Sequence, residues 1–116
     1  MEQALHRRQN PRLMLGIEAE FISLEGREPV TLQDLSATGA KIQVQRGRPT
    51  RTGILRWMDV EVLGEIVWRR DDWCGVVFDR PISNACLVRT RTAAPGLIAE
   101  AQRNAFSHAR DFVDGR

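Results

Sequence analysis

Two short motifs in the chain carry side chains that suit nucleotide binding. Arg8 and Arg12 stand four residues apart, and Asp34, Ser36 and Gly39 follow in the spacing Asp-x-Ser-x-x-Gly. No other two arginines stand four apart, and the second spacing does not recur. The motifs combine planar cations with a carboxylate, a hydroxyl and a glycine turn. These are the groups needed to hold a guanine nucleotide that carries phosphates.

Each of these side chains matches one feature of such a nucleotide. Guanine presents O6 and N7 as adjacent acceptors, which one arginine contacts together. Arginine also pairs bidentately with phosphate oxygens and stacks its flat guanidinium on a purine. The other edge of guanine carries N–H donors, which the Asp34 carboxylate accepts. Ser36 gives or takes one hydrogen bond, and Gly39 permits a positive φ or a close backbone approach. A cyclic phosphate with two guanines would use all of these groups.

The two motifs, in this order and at this separation, resemble the PilZ family, the bacterial receptors for cyclic di-GMP. The later segments 64–68 and 75–78 are similar to the paired late strands of that family, and the resemblance extends over roughly residues 7–82. The resemblance implies a small receptor that binds cyclic di-GMP and carries out no chemistry. It implies ligand contacts from Arg8, Arg12, Asp34, Ser36 and Gly39.

Arg7, which directly precedes the first motif arginine, joins the expected ligand contacts. The resemblance implies that a neighbour at this position affects how many ligand molecules bind. No cofactor is expected, and cyclic di-GMP is the expected ligand. The partner implied by the resemblance is a component of the motility, secretion or exopolysaccharide machinery, and the residues do not choose among these.

Composition agrees with one small domain in a reducing compartment. The chain has 116 residues, a net charge of +2, and sixteen arginines against a single lysine, Lys41. Codon usage in a GC-rich genome explains that ratio, so the placement of arginines carries more information than their number. Cys74 and Cys86 do not form a disulfide scaffold, and His6 and His108 have no partners at metal-ligand spacing. No apolar run reaches the roughly 20 residues of a membrane span. We therefore expect a cytoplasmic protein.

Apolar and polar residues alternate along most of the chain, which predicts β-strands. The expected strands are separated by turns at 25–29, 46–50 and 71–72, and cover residues 16–24, 30–33, 40–45, 55–57, 60–69 and 73–78. Strands of this length and spacing favour a mainly β fold, a small six-stranded antiparallel barrel of the PilZ type. In this pattern Trp68 continues the apolar alternation and is expected to pack inside, while Trp73 is expected to be the most exposed tryptophan.

The C-terminal part follows a helical pattern. Residues 93–96 predict a break, and residues 97–113 predict a helix whose apolar stripe docks on the barrel. The stripe consists of Ile98, Ala101, Ala105, Ala109 and Phe112. Residues 83–92 follow neither pattern. The predicted organisation is a flexible N-terminal arm at 1–12 that carries the arginine motif, a barrel domain at 13–82 and a helical extension at 83–116.

Three function classes remain open besides the receptor. A PilZ-like module that binds a protein without a ligand would have the same fold. A small RNA- or DNA-binding barrel would need a basic stripe around the sheet. Glutamates recur instead on the strand faces expected to be solvated: Glu18, Glu20, Glu61 and Glu65. An enzyme is the weakest of these classes because no nucleophile has a base and an orienting acid near it in sequence.

Overall fold

The computed structural model describes the backbone of residues 13–45, 49 and 51–113, and the side chains of residues 14–45, 49 and 51–104. The described chain forms six strands followed by one helix. These are β1 (Leu13–Ser23), β2 (Gly26–Leu35), β3 (Gly39–Val44), β4 (Thr52–Trp57), β5 (Val60–Arg70), β6 (Trp73–Phe78) and α1 (Asn84–Val113). The predicted arm at 1–12 lies outside the described residues, as does the predicted loop at 46–50 apart from Pro49.

The six strands close into an antiparallel barrel in the order β1-β2-β3-β6-β5-β4. Two of the strand pairs in this order join strands that are distant in sequence: β3 pairs with β6, and β1 pairs with β4. Closure gives every strand two partners and protects the paired edges from extension by another chain. The predicted fold class, a mainly β six-stranded antiparallel barrel with a C-terminal helix, is confirmed.

Alternation along the strands directs one set of side chains into a single core. In β1, Ile17 and Phe21 are buried while Glu18 is exposed, as the pattern predicted. The fully buried side chains of largest volume come from four strands and from the helix: Trp57, Phe21, Leu32, Leu35, Ile42, Leu55, Val30 and Thr90. Burial of this apolar surface stabilises the barrel through the hydrophobic effect.

The first hairpin is tighter than the sequence predicted. The turn expected at 25–29 is confined to Leu24 and Glu25, since Ser23 already pairs with Gly26 and the pairing continues through Pro29. Turn-forming residues in this segment are overridden by the cross-strand pairing. Proline tolerates such a position where its missing N–H is not needed by the ladder.

Three bulges shift the strand register, and the one in β2 lies between Leu32 and Asp34 in the pairing with β3. In β1 the pairing with β2 shifts between Met14 and Ile17, where Gly16 has a φ of 81°. In β5 the pairing with β6 shifts between Ile66 and Trp68. A bulge inserts an extra residue and reverses the face on which the following side chains lie. Side chains beyond each bulge therefore lie on the opposite face from the one that simple alternation predicts.

The bulge in β5 makes the prediction for Trp68 wrong. This side chain is 44% exposed, whereas Trp73 is half-buried and Trp57 belongs to the core, so the prediction that Trp73 is the most exposed tryptophan is also wrong. Val67, which precedes Trp68, is also exposed. The alternation that assigned Trp68 to the interior holds only up to Ile66.

The helix begins thirteen residues before its predicted start, at Asn84 and not at 97. Ser83 caps it, because the Cys86 N–H donates to Ser83 Oγ at 3.0 Å and the Leu87 N–H donates to the Ser83 carbonyl at 3.2 Å. A serine side chain at this position satisfies a helix N–H that has no partner within the helix. The cap was missed because the third helical position is Cys86, where a capping box would have Glu or Gln.

The predicted break at 93–96 is also wrong, since Pro95 lies inside α1. A proline removes one helical N–H and crowds the carbonyl four residues earlier. Here Pro95 and Gly96 are exposed, while their neighbours Ala94 and Leu97 pack against the barrel core. Packing on the barrel therefore carries the helix through the proline.

A buried hydrogen-bonded chain joins the helix to the barrel. The Trp57 indole N–H donates to Thr90 Oγ1 at 3.0 Å, and the Thr90 hydroxyl donates to the Cys86 carbonyl at 2.9 Å. Thr90 is completely buried and Trp57 is 1% exposed. Both polar groups are satisfied without water, so the contact fixes α1 to the Trp57 end of β4.

Replacement of Thr90 by valine tests this anchor. Thr90→Val keeps the shape but leaves the buried indole N–H without an acceptor, so we expect a loss of about 1–3 kcal/mol in the free energy of unfolding. Urea unfolding measures the loss. Thr92→Val is the matched control, because Thr92 is exposed on the same helix. Equal stability of the two variants would contradict the anchor.

The buried thiol of Cys74 makes the stability of the fold depend on pH. Burial raises the pKa of its thiol, Arg69 acts in the opposite direction, and Asp72 adds to the increase. A thiol whose pKa is raised by folding favours the folded state below the unfolded pKa, and this contribution disappears as pH rises through the folded pKa. We therefore expect the free energy of unfolding to fall as pH rises above about 8.5. Cys74→Val should show a shallower fall in urea unfolding from pH 7 to 10, and an unchanged slope would refute the assignment.

Candidate functional site

Directly paired residues of five strands form one row across the outside of the barrel. Met14 of β1 pairs with Asp34 of β2, and Asp34 pairs with Lys41 of β3. Lys41 pairs with Gly75 of β6, which pairs with Trp68 of β5. Side chains at paired positions on one face of a sheet lie close enough to contact each other. The row therefore brings a carboxylate, an ammonium group and an indole to the same surface.

The motif loop after β2 is organised by its own hydrogen bonds. The Ser36 N–H donates to the Gly39 carbonyl at 2.9 Å, and the Ser36 hydroxyl donates to the same oxygen at 3.3 Å. The Thr38 N–H donates to Ser36 Oγ at 3.3 Å. Serine hydroxyls often stabilise turns in this way. Ser36 thus holds the shape of the loop that begins at Asp34.

Contacts with two later segments hold this loop against the barrel. The Phe78 N–H donates to the Thr38 carbonyl at 2.9 Å, and the Ile82 N–H donates to the Ala37 carbonyl at 2.8 Å. The loop is therefore attached both to the end of β6 and to the segment that precedes α1. Because these are backbone bonds, they fix the loop whatever side chains occupy positions 37 and 38.

Gly39 is needed because two backbones approach each other closely. A Cβ at this position would lie 2.5 Å from the Val76 carbonyl oxygen. Real Cβ atoms do not come this close to a backbone oxygen, so any larger residue would push β3 away from β6. Of the two explanations offered by the sequence, the structure supports close approach.

A groove of about 260 Å³ lies over this region. It contains all three residues of the second motif, and its lining comes from β2, β3, β5, β6 and the motif loop: Asp34, Leu35, Ser36, Thr38, Gly39, Ala40, Lys41, Val67, Trp68, Gly75, Val76 and Val77. Asp34 is 9% exposed, so its carboxylate lies at the floor of the groove. The structure thus brings Asp34, Ser36 and Gly39 together around one concave surface.

Trp68 is the groove residue that sequence reasoning did not assign to the site. Its indole lies against Gly75, where an added Cβ would be 2.0 Å from Trp68 Nε1. Gly75 lacks a side chain, and the ring occupies the space that one would fill. The bulge before Trp68 turns the ring outward, and no residue type in β5 indicates that bulge.

The three arginines of the first motif lie outside the described residues: Arg7, Arg8 and Arg12. Leu13, which directly follows Arg12, begins β1 and pairs with Leu35 beside Asp34. The chain therefore enters the barrel next to the groove.

A series of ion pairs lies on the barrel surface formed by β2, β1, β4 and β5. Glu20 Oε1 lies 3.5 Å from Arg27 Nη1 and 4.0 Å from Arg56 Nε. Arg56 Nη1 also lies 3.8 Å from Glu61 Oε2. These pairs cross β2, β1, β4 and β5 in turn. Exposed pairs of this kind contribute little stability, but they neutralise the arginines involved. A continuous basic stripe, which an RNA- or DNA-binding barrel would need, is not formed by the described residues of these strands.

Alanine at the two glycines of the groove should have different effects. The Cβ of Gly75→Ala would collide first with the Trp68 side chain, which can rotate away. We expect little loss of stability but a red-shifted fluorescence emission from Trp68. Gly39→Ala meets a backbone oxygen that cannot rotate away, so we expect a loss of about 1–3 kcal/mol. Urea unfolding and emission spectra, with Trp68→Phe to assign the signal, measure both. Similar stability losses would contradict the distinction.

The structure contains no helix in its described part that is long and apolar enough to cross a membrane. A search among curated proteins gave no match. The family model of the PilZ domain matches residues 6–90, a range that includes the arginine motif, the Asp34 loop and Trp68. The match covers most of the chain and agrees with the closed barrel and with the groove around the second motif. The chain belongs to the PilZ domain family.

Proposed function

We propose that this protein is a cyclic di-GMP receptor whose ligand lies in the groove around Asp34, Ser36 and Gly39. The observation that carries the proposal is the family match over residues 6–90, which includes both motifs. It is supported by the single groove that the second motif lines. PilZ domains are receptor domains without enzymatic activity, and no cofactor is part of the proposal.

Asp34 and Ser36 take different roles in this proposal. The Asp34 carboxylate accepts hydrogen bonds from the N–H donors of a guanine edge. Ser36 acts mainly through the loop, since its hydroxyl already donates to the Gly39 carbonyl and accepts from the Thr38 N–H. A hydroxyl oxygen has a second lone pair, so Ser36 also has capacity for one ligand contact. Loss of the hydroxyl would therefore disturb the loop as well as the ligand.

Trp68 adds a flat surface to the proposed site. Its indole lines the groove, is 44% exposed and is held against Gly75. Stacking of a base on an aromatic ring contributes about 1–3 kcal/mol. A guanine whose edge meets Asp34 could place its face on this ring, since both residues line one groove. Trp68 therefore becomes a proposed ligand contact.

Arg8 and Arg12, with Arg7 beside them, supply the phosphate and guanine contacts of the proposal. A guanidinium pairs bidentately with phosphate and with guanine O6 and N7. Because the segment that carries them joins β1 beside the groove, ligand capture would order the arm at 1–12 over the ligand. A change from disorder to order is a common basis for switching.

Ordering of the arm would change the surface offered to a partner. Exposed apolar side chains surround the groove, with Met14 at 81%, Val67 at 51% and Val77 at 49% exposure. Exposed apolar groups close together often mark an interaction site. In the proposal, a partner in motility, secretion or exopolysaccharide synthesis distinguishes the covered from the uncovered surface. Cys74 and Cys86 are both free, as a cytoplasmic receptor would have them.

The same apolar side chains favour a second candidate function, a PilZ-like module that binds its partner without a ligand. The two candidates differ in one measurable property, the affinity for cyclic di-GMP. The ion pairs along β2, β1, β4 and β5 argue against the RNA- or DNA-binding alternative, because their glutamates interrupt the continuous positive surface that binding to many phosphates needs.

Titration calorimetry with cyclic di-GMP tests the receptor directly. We expect selective binding over cyclic di-AMP. The double variant Arg8→Ala/Arg12→Ala should abolish it, because both bidentate donors are lost. Trp68→Ala should weaken binding by about tenfold through loss of stacking. A matched control is Arg91→Ala/Arg103→Ala, which removes two exposed arginines from α1.

The outcomes separate the two candidate functions. If the control binds like the native chain and the motif variant does not, the receptor and its site are established. If the folded native chain binds no cyclic di-GMP at high concentration, the receptor proposal fails and the ligand-independent module takes its place.

A further inference from the structure

The first four residues of β5 have a neighbouring strand on one side only. The pairing of β5 with β4 covers Val60 to Glu65, whereas its pairing with β6 begins at Gly64. Beside this length the chain has left β6 and runs through residues 79–82 towards α1. In the described part of the chain, no strand therefore pairs with residues 60–63 on the β6 side.

The β4–β5 hairpin determines which backbone groups point to this open side. Its two-residue turn includes Met58 at a φ of 55° and makes Trp57 and Val60 a hydrogen-bonded pair. Hydrogen-bonded and non-bonded pairs alternate along an antiparallel ladder. Val62 therefore exchanges hydrogen bonds with β4, and its two neighbours in the chain direct their N–H and C=O groups to the open side.

Three backbone groups of these neighbours, Glu61 and Leu63, are left for a further strand. The Asp79 N–H donates to the Leu63 carbonyl at 2.8 Å, which agrees with the direction derived from the hairpin. Among the described residues, no other backbone hydrogen bond reaches this side of the two residues. The Leu63 N–H and both backbone groups of Glu61 thus remain. A strand edge that presents such groups is a template for pairing with another chain.

A cavity of about 290 Å³ lies along this edge. Its lining comes from β5 and from the segment that follows β6: Glu61, Val62, Leu63, Asp79, Arg80, Pro81 and Ile82. Val62 and Ile82 are half-buried, and Leu63 is 49% exposed. The cavity therefore offers apolar contacts next to the outward backbone groups.

Hydrogen bonds at both ends hold the segment 79–82 in place. Its first residue is bonded to Leu63, and the Ile82 N–H donates to the Ala37 carbonyl at 2.8 Å. Both bonds join backbone groups, so the far wall of the cavity does not depend on the orientation of a side chain. A preformed site loses less conformational entropy when a ligand binds.

The charges at the edge favour a basic occupant. Glu61 and Asp79 contribute two carboxylates to the cavity, and Arg80 contributes one guanidinium. Glu61 also lies 3.8 Å from Arg56, yet its side chain is still 59% exposed. Opposite charges at facing positions of two strands stabilise their pairing. A lysine or arginine opposite Glu61 would therefore be favoured.

We propose that this edge of β5 binds an extended, basic peptide segment of a protein partner, which adds a strand to the barrel. The segment forms its backbone hydrogen bonds with Glu61 and Leu63. Its apolar side chains lie beside Val62 and Ile82, and its basic side chains lie beside Glu61. In strand addition the backbone bonds supply affinity and the alternate side chains supply specificity. The edge lies outside the groove around the second motif, and the inference does not depend on the proposed function.

The probe is a short blocked peptide of alternating valine and lysine, titrated into the isotope-labelled full chain and followed by NMR. A control peptide has the same sequence with methylated backbone N–H groups, so it keeps the side chains and lacks the donors. We expect saturable binding of the probe and at least about tenfold weaker binding of the control.

Amide hydrogen exchange locates the peptide on the chain. Without peptide, we expect fast exchange at Glu61 and Leu63 and slow exchange at Val62, because only the Val62 N–H is bonded to β4. The probe should slow exchange at Glu61 and Leu63 and leave Val62 unchanged. An alternation of this kind is expected only if a strand is added at the open side.

Two variants at one position test the edge from the side of the protein. Glu61→Pro removes an outward N–H, and proline is tolerated where its missing N–H faces away from the ladder. We expect at least about tenfold weaker binding of the probe. Glu61→Lys keeps the backbone and reverses the charge, so a loss of about threefold is expected even if the proline variant misfolds. Glu100→Lys makes the same charge change at an exposed position of α1 and should bind like the native chain.

The inference is overturned if the probe does not bind, or if the methylated peptide binds equally well. Slow exchange at Glu61 and Leu63 in the free chain would also overturn it, and exchange that becomes fast on dilution would assign the edge to a second copy of this chain. Equal binding to Glu61→Lys and Glu100→Lys would refute the basic character of the segment. All measurements are made without cyclic di-GMP, so failure of the receptor proposal would leave them unchanged.

Discussion

The close approach of β3 to β6 is the constraint on which the rest of the molecule depends. These strands are far apart in sequence, and their pairing closes one side of the barrel. Gly39 and Gly75 both lie in this pairing, and both are positions where a Cβ would collide with a neighbour. At Gly39 the missing side chain lets the backbones meet, and at Gly75 it makes room for the Trp68 ring. Closure of the barrel and construction of the groove therefore rest on the same two strands.

The sequence predicted those features of the structure that depend on a local pattern, such as the alternation of apolar and polar residues along a strand. Alternation placed Ile17, Phe21 and Ile42 in the core, and Asp34, Ser36 and Gly39 of the second motif line one groove, while their contacts with a ligand stay a prediction. These residues were predictable because each depends on its near neighbours or on a motif. The arginine motif stays a prediction, since it lies outside the described residues.

The features that could not be predicted depend on packing between distant segments. The outward position of Trp68 results from a bulge, and one extra residue in a strand leaves no mark on composition. The helix begins at Asn84 and continues through Pro95 because Thr90 and Ala94 are buried against the barrel. Local propensity predicted a break there, and tertiary contact overrode it. The contact of the Lys41 ammonium with the Trp73 ring depends on the register of β3 against β6, which the sequence does not show.

The single lysine of the chain gives the site an unusual chemical property. Lys41 is the only side-chain amine among 116 residues, and it lines the groove around the second motif. Any reagent or enzyme that acylates side-chain amines therefore has one target, and that target borders the proposed ligand. Acylation there would remove a positive charge and its contact with Trp73 in one step. Acylation of lysine in this arginine-rich protein is thus confined to one residue, which lies at the groove.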